Sequence, residues 1–458
     1  MLVVFLLIST VFAILTWSDL HKGLFLLTAL LPSYLLRTHI GSVPTTLLEL
    51  LILTFIIIWF IKRLPIAPQL ISEIFTDPSK TRDLSSDGVL LTHRGTVTYN
   101  ESVASFPIRR NFSEFWRGPF ITAISFLFLT ATISIAVSPQ IVAAVGIWKA
   151  YFIEPFLLFL IISFEFQQTD RLTLSQGLFK ALGVSAIAVS SVAIIQWITG
   201  AGLPIPWDIE RRVTSVFDYP NAVGLFLGPI FIIGFQQVIT EKITILFLKK
   251  NLFWISVCVL SFIAIVFAQS EAAIVAVVAT VVLQGLFYKS SRKKTLVLSF
   301  LATVFICVSP WRGVVVQKLT LQDYSGGVRI SQWTETVELL KDHWLLGVGL
   351  SGYQTALIPY HQATHFEIFQ YPHNILLNIW VELGLLGIVA FLLLAYHLLT
   401  TPRDPFSTIA FFALVEMTIH GLVDVPYFKN DLAVLTWILI AITLSYVCST
   451  SSQQKRSV

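Results

Sequence analysis

The sequence predicts an all-α membrane protein, a polytopic bundle of about 12–13 transmembrane helices with a long extracytoplasmic loop that carries short amphipathic helices. Three observations predict it. Hydrophobic residues make up 55% of the 458 positions, charged residues only 12%, and the mean hydropathy is +0.80. A chain this long and this poor in charge cannot clothe a globule in polar surface, which excludes a soluble enzyme, a disordered chain and a disulfide-rich secreted scaffold. Apolar runs of spanning length, about 20 residues each, recur from end to end.

Taken in order, the runs are 1–16, 22–37, 44–62, 119–138, 140–163, 173–199, 219–239, 252–268, 271–288, 294–310, 374–400, 406–420 and 431–449. The first two are short, so thirteen helices become twelve if they only half-span. The opening MLVVFLLISTVFAILTW lacks the basic n-region and small-residue cleavage site of a secretory signal, and reads as a retained first helix. Cys258, Cys307 and Cys448 lie in or beside apolar runs without metal spacing, as small core hydrophobes do. The organisation expected is N-terminal helices in 1–62, a cytoplasmic polar insert in 63–118 and central helices in 119–310 with an external segment at 200–218. A long extracytoplasmic loop at 311–373, C-terminal helices in 374–449 and a cytoplasmic tail at 450–458 complete it.

Sidedness follows from lysine and arginine, which cytoplasmic loops retain. Lys242, Lys249 and Lys250 lie two helices from Lys289, Arg292, Lys293 and Lys294, so both groups share one side. The tail with Lys455 and Arg456 falls there too, as does the insert, where Val89 to Tyr99 alternates as a hairpin would. Segments 200–218 and 311–373 then fall on the opposite, outer side. The N-terminus comes out on the outer side with thirteen helices and on the inner side with twelve.

Ionisable groups are costly near a bilayer, so each needs a reason. Glu210-Arg211-Arg212 precedes Asp218-Tyr-Pro220-Asn221 and a helix that starts at Asn221. Two outer-face arginines are read either as a lipid-headgroup anchor or as an anion site. Arg329 follows the diglycine Gly326-Gly327 and opens an amphipathic helix with Trp333, Thr336, Val337 and Leu340, a place suited to phosphate contact. Gly347-x-Gly349-x-x-Gly352 spells a dinucleotide fingerprint, but no strand or βαβ unit surrounds it. The expected role is to end a helix and let a loop fold back closely.

His373 stands at the mouth of a long apolar helix on which Asn374, Asn378 and Glu382 recur every four residues and so share one face. Such a polar stripe cannot face lipid. Glu416, His420 and Asp424 make a similar i, i+4, i+8 stripe, read as packing and cavity-shaping residues. Lys149 and Glu154, five apart in an apolar helix, point to different faces and make no obvious pair. His361, His365 and His373 show no H-E-x-x-H pattern, and no metal site is expected. Neither a Walker loop nor a G-x-S-x-G elbow is present, which argues against ATP-driven transport.

Three stretches, RRVTSVFDYPN, GVRISQWTETVELLKDHWLLGVGLSGYQ and YPHNILLNIWVELGLLG, with the terminal HGLVDVPYFKNDLAVLTW, together resemble the O-antigen ligase and O-antigen polymerase superfamily over roughly residues 119–448. The resemblance implies a GT-C type membrane glycosyltransferase. Such an enzyme takes a glycan from a polyprenyl (undecaprenyl) diphosphate carrier and passes it to an acceptor hydroxyl on a lipid, glycan or protein. The site would face the outer leaflet of a bacterial inner membrane, with no cofactor, no metal and no nucleotide sugar. It implies His373, Arg329 and Arg212 as catalytic residues. Arg211 (a substitute for Arg212), Asn221, Asn374, Asn378 and Glu382 are the expected substrate contacts, with Asn374 or Glu382 orienting the His373 ring or binding sugar. Arginine fits a diphosphate leaving group because it stays charged and binds bidentately. Histidine fits a base at neutral pH. The rival readings are an O-antigen polymerase, a protein O-oligosaccharyltransferase and, from a different class, a transporter or flippase of the lipid-linked glycan.

Overall fold

The structure is a computed structural model, and it describes residues 2–40, 43–63, 119–239, 245–310 and 312–450. The insert expected between 63 and 118, with its hairpin, and the tail from 451 lie outside the described residues, Arg63 excepted. The chain is an all-α membrane bundle. Among the described residues, six helices are long and apolar enough to cross a membrane: α4 (Pro119–Val137), α5 (Ile141–Gln168), α6 (Arg171–Thr199), α7 (Pro220–Ile239), α14 (Ile375–Thr400) and α16 (Asn430–Thr450). Shorter apolar helices complete the bundle: α1 (Leu2–Ser18), α3 (Leu47–Arg63), α8 (Ile245–Phe267), α9 (Glu271–Phe287), α10 (Arg292–Val308) and α15 (Pro405–His420). The helices α2 (Leu20–Ala29), α11 (Arg312–Leu319), α12 (Tyr324–His343) and α13 (Tyr353–Leu357) are short or amphipathic.

The expected helix 22–37 is not a span. Asp19 caps α2 by accepting from the His21 and Lys22 amides, and α2 stops at Ala29. Pro32 then sits in the first turn of a 3-10 segment, Leu31–Leu35, and the chain leaves it through a hairpin, β1 (Arg37–Ile40) with β2 (Val43–Thr46). A second departure concerns Lys149 and Glu154. Residues Trp148–Ile153 form a π-helical turn inside α5. Its i to i+5 geometry brings residues five apart onto one face, so Lys149 Nζ lies 3.9 Å from Glu154 and 2.8 Å from Glu49.

α16 is the most enclosed of the six spans, packed along α5 and against α15, whereas α10 buries no residue. α4 lies along α14, and α7 lies between α8 and α15. Connectivity then sorts the loops. Segments 200–219, 268–270, 309–374 and 421–429 emerge at one end of the bundle, and 169–170, 288–291 and 401–404 emerge at the other.

α14 is broken in its third turn from the site end. Gly384 has φ +73°, and a Cβ there would meet the Leu345 carbonyl oxygen at 2.2 Å. The segment after α12 runs back along this break. Leu385 N donates to Leu345 O at 3.0 Å, Val348 N donates to Val381 O, and Gly347 (φ +70°) approaches the same carbonyl. The G-x-G-x-x-G stretch is thus a close backbone contact, which only glycine permits.

Candidate active site

The loop 421–424, between α15 and α16, is the point where the site residues meet. His373 sits two residues before α14, next to its N-cap, in the left-handed region (φ +47°), with its ring edge-on to Phe369. Its Nδ1 is buried and lies 3.4 Å from Asp424 Oδ1, while the side chain as a whole is 24% exposed. The exposure therefore belongs to other atoms of the side chain. Asp424 was expected on a helical stripe with Glu416 and His420, but α15 ends at His420 and Asp424 stands in the loop beyond it. The Val425 amide donates to its Oδ1 at 2.8 Å. Burial alone would raise the Asp424 carboxyl, but the hydrogen bond and charge of His373, with the charge of His420, outweigh it and hold the group at about 2.

Arg329 reaches the same loop from α12. Its Nε donates to Val423 O at 2.9 Å, and its Nη1 donates to Ser325. The diglycine lies inside the first turn of α12 rather than before it; Asp323 is the cap, accepting from Gly326 N at 3.1 Å. α12 is fastened to the histidine loop by Trp333 Nε1, which donates to Pro372 O at 2.8 Å. One loop thus gathers the guanidinium, the imidazole and its carboxylate.

Asn374 is the N-cap of α14. Its Oδ1 accepts from the Leu376 and Leu377 amides and its Nδ2 donates to Leu422 O at 2.9 Å. Asn378 and Glu382 lie deeper on the same face, both fully buried. Glu382 Oε1 accepts from the Ser351 amide at 3.2 Å, while Oε2 and both polar atoms of Asn378 meet no partner among the described residues. Among the described contacts the carboxylate beside the His373 ring is Asp424; the helix carries Glu382 roughly 12 Å further along its axis, and the Asn374 side chain is taken up by the helix cap and Leu422 O.

Arg212 is half-buried on the 200–219 segment. Its Nε donates to Ala268 O at 3.2 Å, its Nη2 donates to Asn221 Oδ1 at 3.4 Å, and its guanidinium lies over the Trp207 ring at 4.9 Å. Burial lowers its pKa, against the charges of Glu210 and Glu271. Arg211 is exposed, with φ +53° and one bond from Nη2 to Ile198 O at 3.4 Å. None of the described contacts of either arginine is made with His373 or Arg329. His361 pairs with Glu335 at 2.9 Å, and among the described residues no group of three or more His, Cys, Asp or Glu is arranged to hold a metal ion.

Sequence reasoning assigned Asp424 to packing. The available signal was its distance from the helix end, since Gly421 and Pro426 bracket it in a segment that cannot continue α15. Directly below the site lies an apolar cavity of about 280 Å³, lined by Ile375, Ile379, Phe411, Met417, Phe428 and Trp437 among others.

Residues 256–392, from α8 into α14, match the family model described as O-Antigen ligase. No curated protein matches the chain. The matched stretch includes Arg329, His373, Asn374, Asn378 and Glu382 and excludes Arg212 and Asp424. Residues 256–392 are therefore similar to the O-antigen ligase family, and they lie within an all-α membrane bundle.

Proposed function

We propose that this chain is a glycosyltransferase of the O-antigen ligase kind, moving a glycan from a polyprenyl diphosphate carrier to an acceptor hydroxyl in cell-surface polysaccharide biosynthesis. The His373–Asp424 pair, tied with Arg329 to one loop, is the observation that carries this reading. The end bearing that loop faces the periplasm or cell exterior of a bacterial inner membrane. The loops with Lys289, Arg292 and Lys293 at the opposite end fit the cytoplasmic side.

His373 takes the acceptor hydroxyl proton at Nε2. Asp424 holds the Nδ1 proton, fixes the tautomer and stabilises the imidazolium that forms. The acceptor oxygen bonds to the anomeric carbon as the bond from that carbon to the phosphate oxygen breaks. The diphosphate departs with the electron pair. Arg329 and, from the neighbouring segment, Arg212 stabilise its growing charge, with Arg211 and Asn221 beside Arg212. The apolar cavity beneath Ile375 supports a place for the polyprenyl chain. Asn378 and Glu382, buried with unpaired polar atoms, are proposed substrate-facing groups. Asn374 acts through the loop by holding Leu422.

Release of polyprenyl diphosphate from a lipid-linked glycan, by full-length protein in nanodiscs with a hydroxyl acceptor pool and EDTA, tests this reading. His373→Ala is expected to abolish release while the donor still binds. Arg329→Ala is expected to weaken donor engagement as well. Wild-type turnover in either variant overturns the assignment. A ladder of products in place of one transferred chain would mark a polymerase instead of a ligase.

A further inference from the structure

One polar cluster at the site end is not used by the chemistry above. Lys429, in the loop after Asp424, has its Nζ buried, and no described residue accepts a hydrogen bond from it. The ammonium stands over three rings, Phe217 at 4.4 Å, Tyr34 at 5.2 Å and Tyr219 at 5.5 Å. Asp431 lies 3.9 Å away, fully buried, with neither carboxylate oxygen hydrogen-bonded to a described residue. Aromatic faces replace only part of the hydration that an ammonium loses on burial. The group therefore retains unmet donors beside a carboxylate with unmet acceptors.

An open cleft of about 610 Å³ adjoins this cluster, lined by Leu203, Pro204, Thr214, Ser215, Phe217 and Asp218 among others. Phe217 belongs to both the cleft and the ring cage. Tyr219, next in line, is 38% exposed at the same edge. Lys429, which stands over the Phe217 ring of the cleft wall, follows Asp424, the partner of His373, by five residues in the same loop, so the cleft lies beside the loop that carries the reacting end of the site.

The chemistry of the cluster restricts its ligand. A phosphate or carboxylate would satisfy Lys429 but meet Asp218, Asp424 and Asp431. An amine would satisfy the carboxylates but meet Lys429. A hydroxyl donates and accepts at once, so vicinal hydroxyls of a sugar can serve both signs, and the C–H face of a pyranose can lie on Tyr219. We propose that this cleft is the subsite for the acceptor's sugar, and that it takes an uncharged, hydroxyl-rich pyranose through Lys429, Asp218 and Tyr219. That the sugar is the acceptor rests on the transfer reaction proposed above; that the cleft binds an uncharged sugar does not.

The test uses the full chain in nanodiscs without donor. Saturation-transfer NMR is recorded with a panel of neutral mono- and disaccharides and with the same sugars as phosphate esters. At least one neutral sugar is expected to bind, and its phosphate ester to bind at least about tenfold more weakly, the size of one lost polar contact. Tyr219→Ala and Lys429→Met should each weaken the neutral sugar about tenfold, and Lys429→Arg should retain most of it. Tyr219 stands at the exposed edge of the ring cage, so Tyr219→Ala, checked for wild-type thermal unfolding, decides the matter if Lys429→Met fails to fold. No neutral sugar bound, esters bound equally well, or binding unmoved by Tyr219→Ala would each overturn the subsite. In turnover, Tyr219→Ala should raise the acceptor KM with kcat nearly unchanged. Sugar binding without any wild-type transfer sinks the proposed reaction and leaves the subsite standing. Transfer with an unchanged acceptor KM in Tyr219→Ala sinks the subsite and leaves the reaction.

Discussion

The two ends of the bundle each bury a carboxylate, and they treat it differently. At the end away from the site, Glu165 is 1% exposed and accepts from Trp59 Nε1 at 2.8 Å, from Arg63 Nε and Nη2 at 3.1 and 2.8 Å, and pairs with His21 at 3.2 Å. Four contacts from α2 and α3 meet one group on α5, and every lone-pair direction is used. At the site end, Asp424, Asp431, Glu382 and Lys429 each keep at least one polar atom without a partner among the described residues. A buried polar group left unpaired is costly, and a fold tolerates it where a ligand or moving proton completes it. The Glu165 end holds helices together; the Asp424 end is built to receive something.

The largest effect expected from breaking this contrast lies at Asp424. Asp424→Asn keeps the shape but cannot hold the Nδ1 proton in the same way, and in a comparable dyad such a change lowers kcat by about 10⁴. Loss of the neighbouring negative charge also disfavours imidazolium, so the acid limb of the residual rate should move to lower pH. In the native protein the Asp424 carboxyl is held down at about 2. The same depressed carboxyl contributes stability that is present above its unfolded value of about 4 and is lost as pH falls toward the folded value. A kcat profile of Asp424→Asn that matches wild type in height and position would remove Asp424 from the mechanism.

Glu165→Gln should invert that pattern. Removing one partner from a buried, fully paired network costs about 3 kcal/mol, because Arg63 is left without its counter-charge. Thermal unfolding in detergent should show the loss, while kcat of the folded fraction stays within about twofold, since surface and remote changes act on stability and not on the site. A variant with wild-type stability and impaired kcat would mean that the two ends are coupled in function.

How much of this was legible in the sequence depends on whether periodicity or tertiary contact set each feature. Composition and the recurring apolar runs carried the all-α membrane class. The stripe Asn374, Asn378 and Glu382 was legible because a regular helix places residues four apart on one face, and two of the three are buried as expected. The Lys149–Glu154 pair was not, since the π turn at 148–153 changes the period locally and no residue type announces it. The helix expected at 22–37 failed for the opposite reason: Pro32 was visible in the sequence, but the apolar run around it outweighed the break. The approach of His373 to Asp424 joins residues 51 positions apart through a loop closure that no local pattern encodes.

The smallest effect expected separates the two adjacent arginines. Arg212 is half-buried, spread over Ala268, Asn221 and the Trp207 ring, so its guanidinium is held in place before any ligand arrives. Arg211 points its charge into solvent with one long bond to Ile198 O, where water and salt screen it. Arg212→Gln should therefore raise the donor KM by about tenfold or more, as loss of a desolvated charged contact does. Arg211→Gln should change it by about threefold at low salt and by less as salt rises. Equal losses at every ionic strength would mean that the two side chains exchange places over the diphosphate. The anion site would then be a mobile pair in place of one fixed guanidinium.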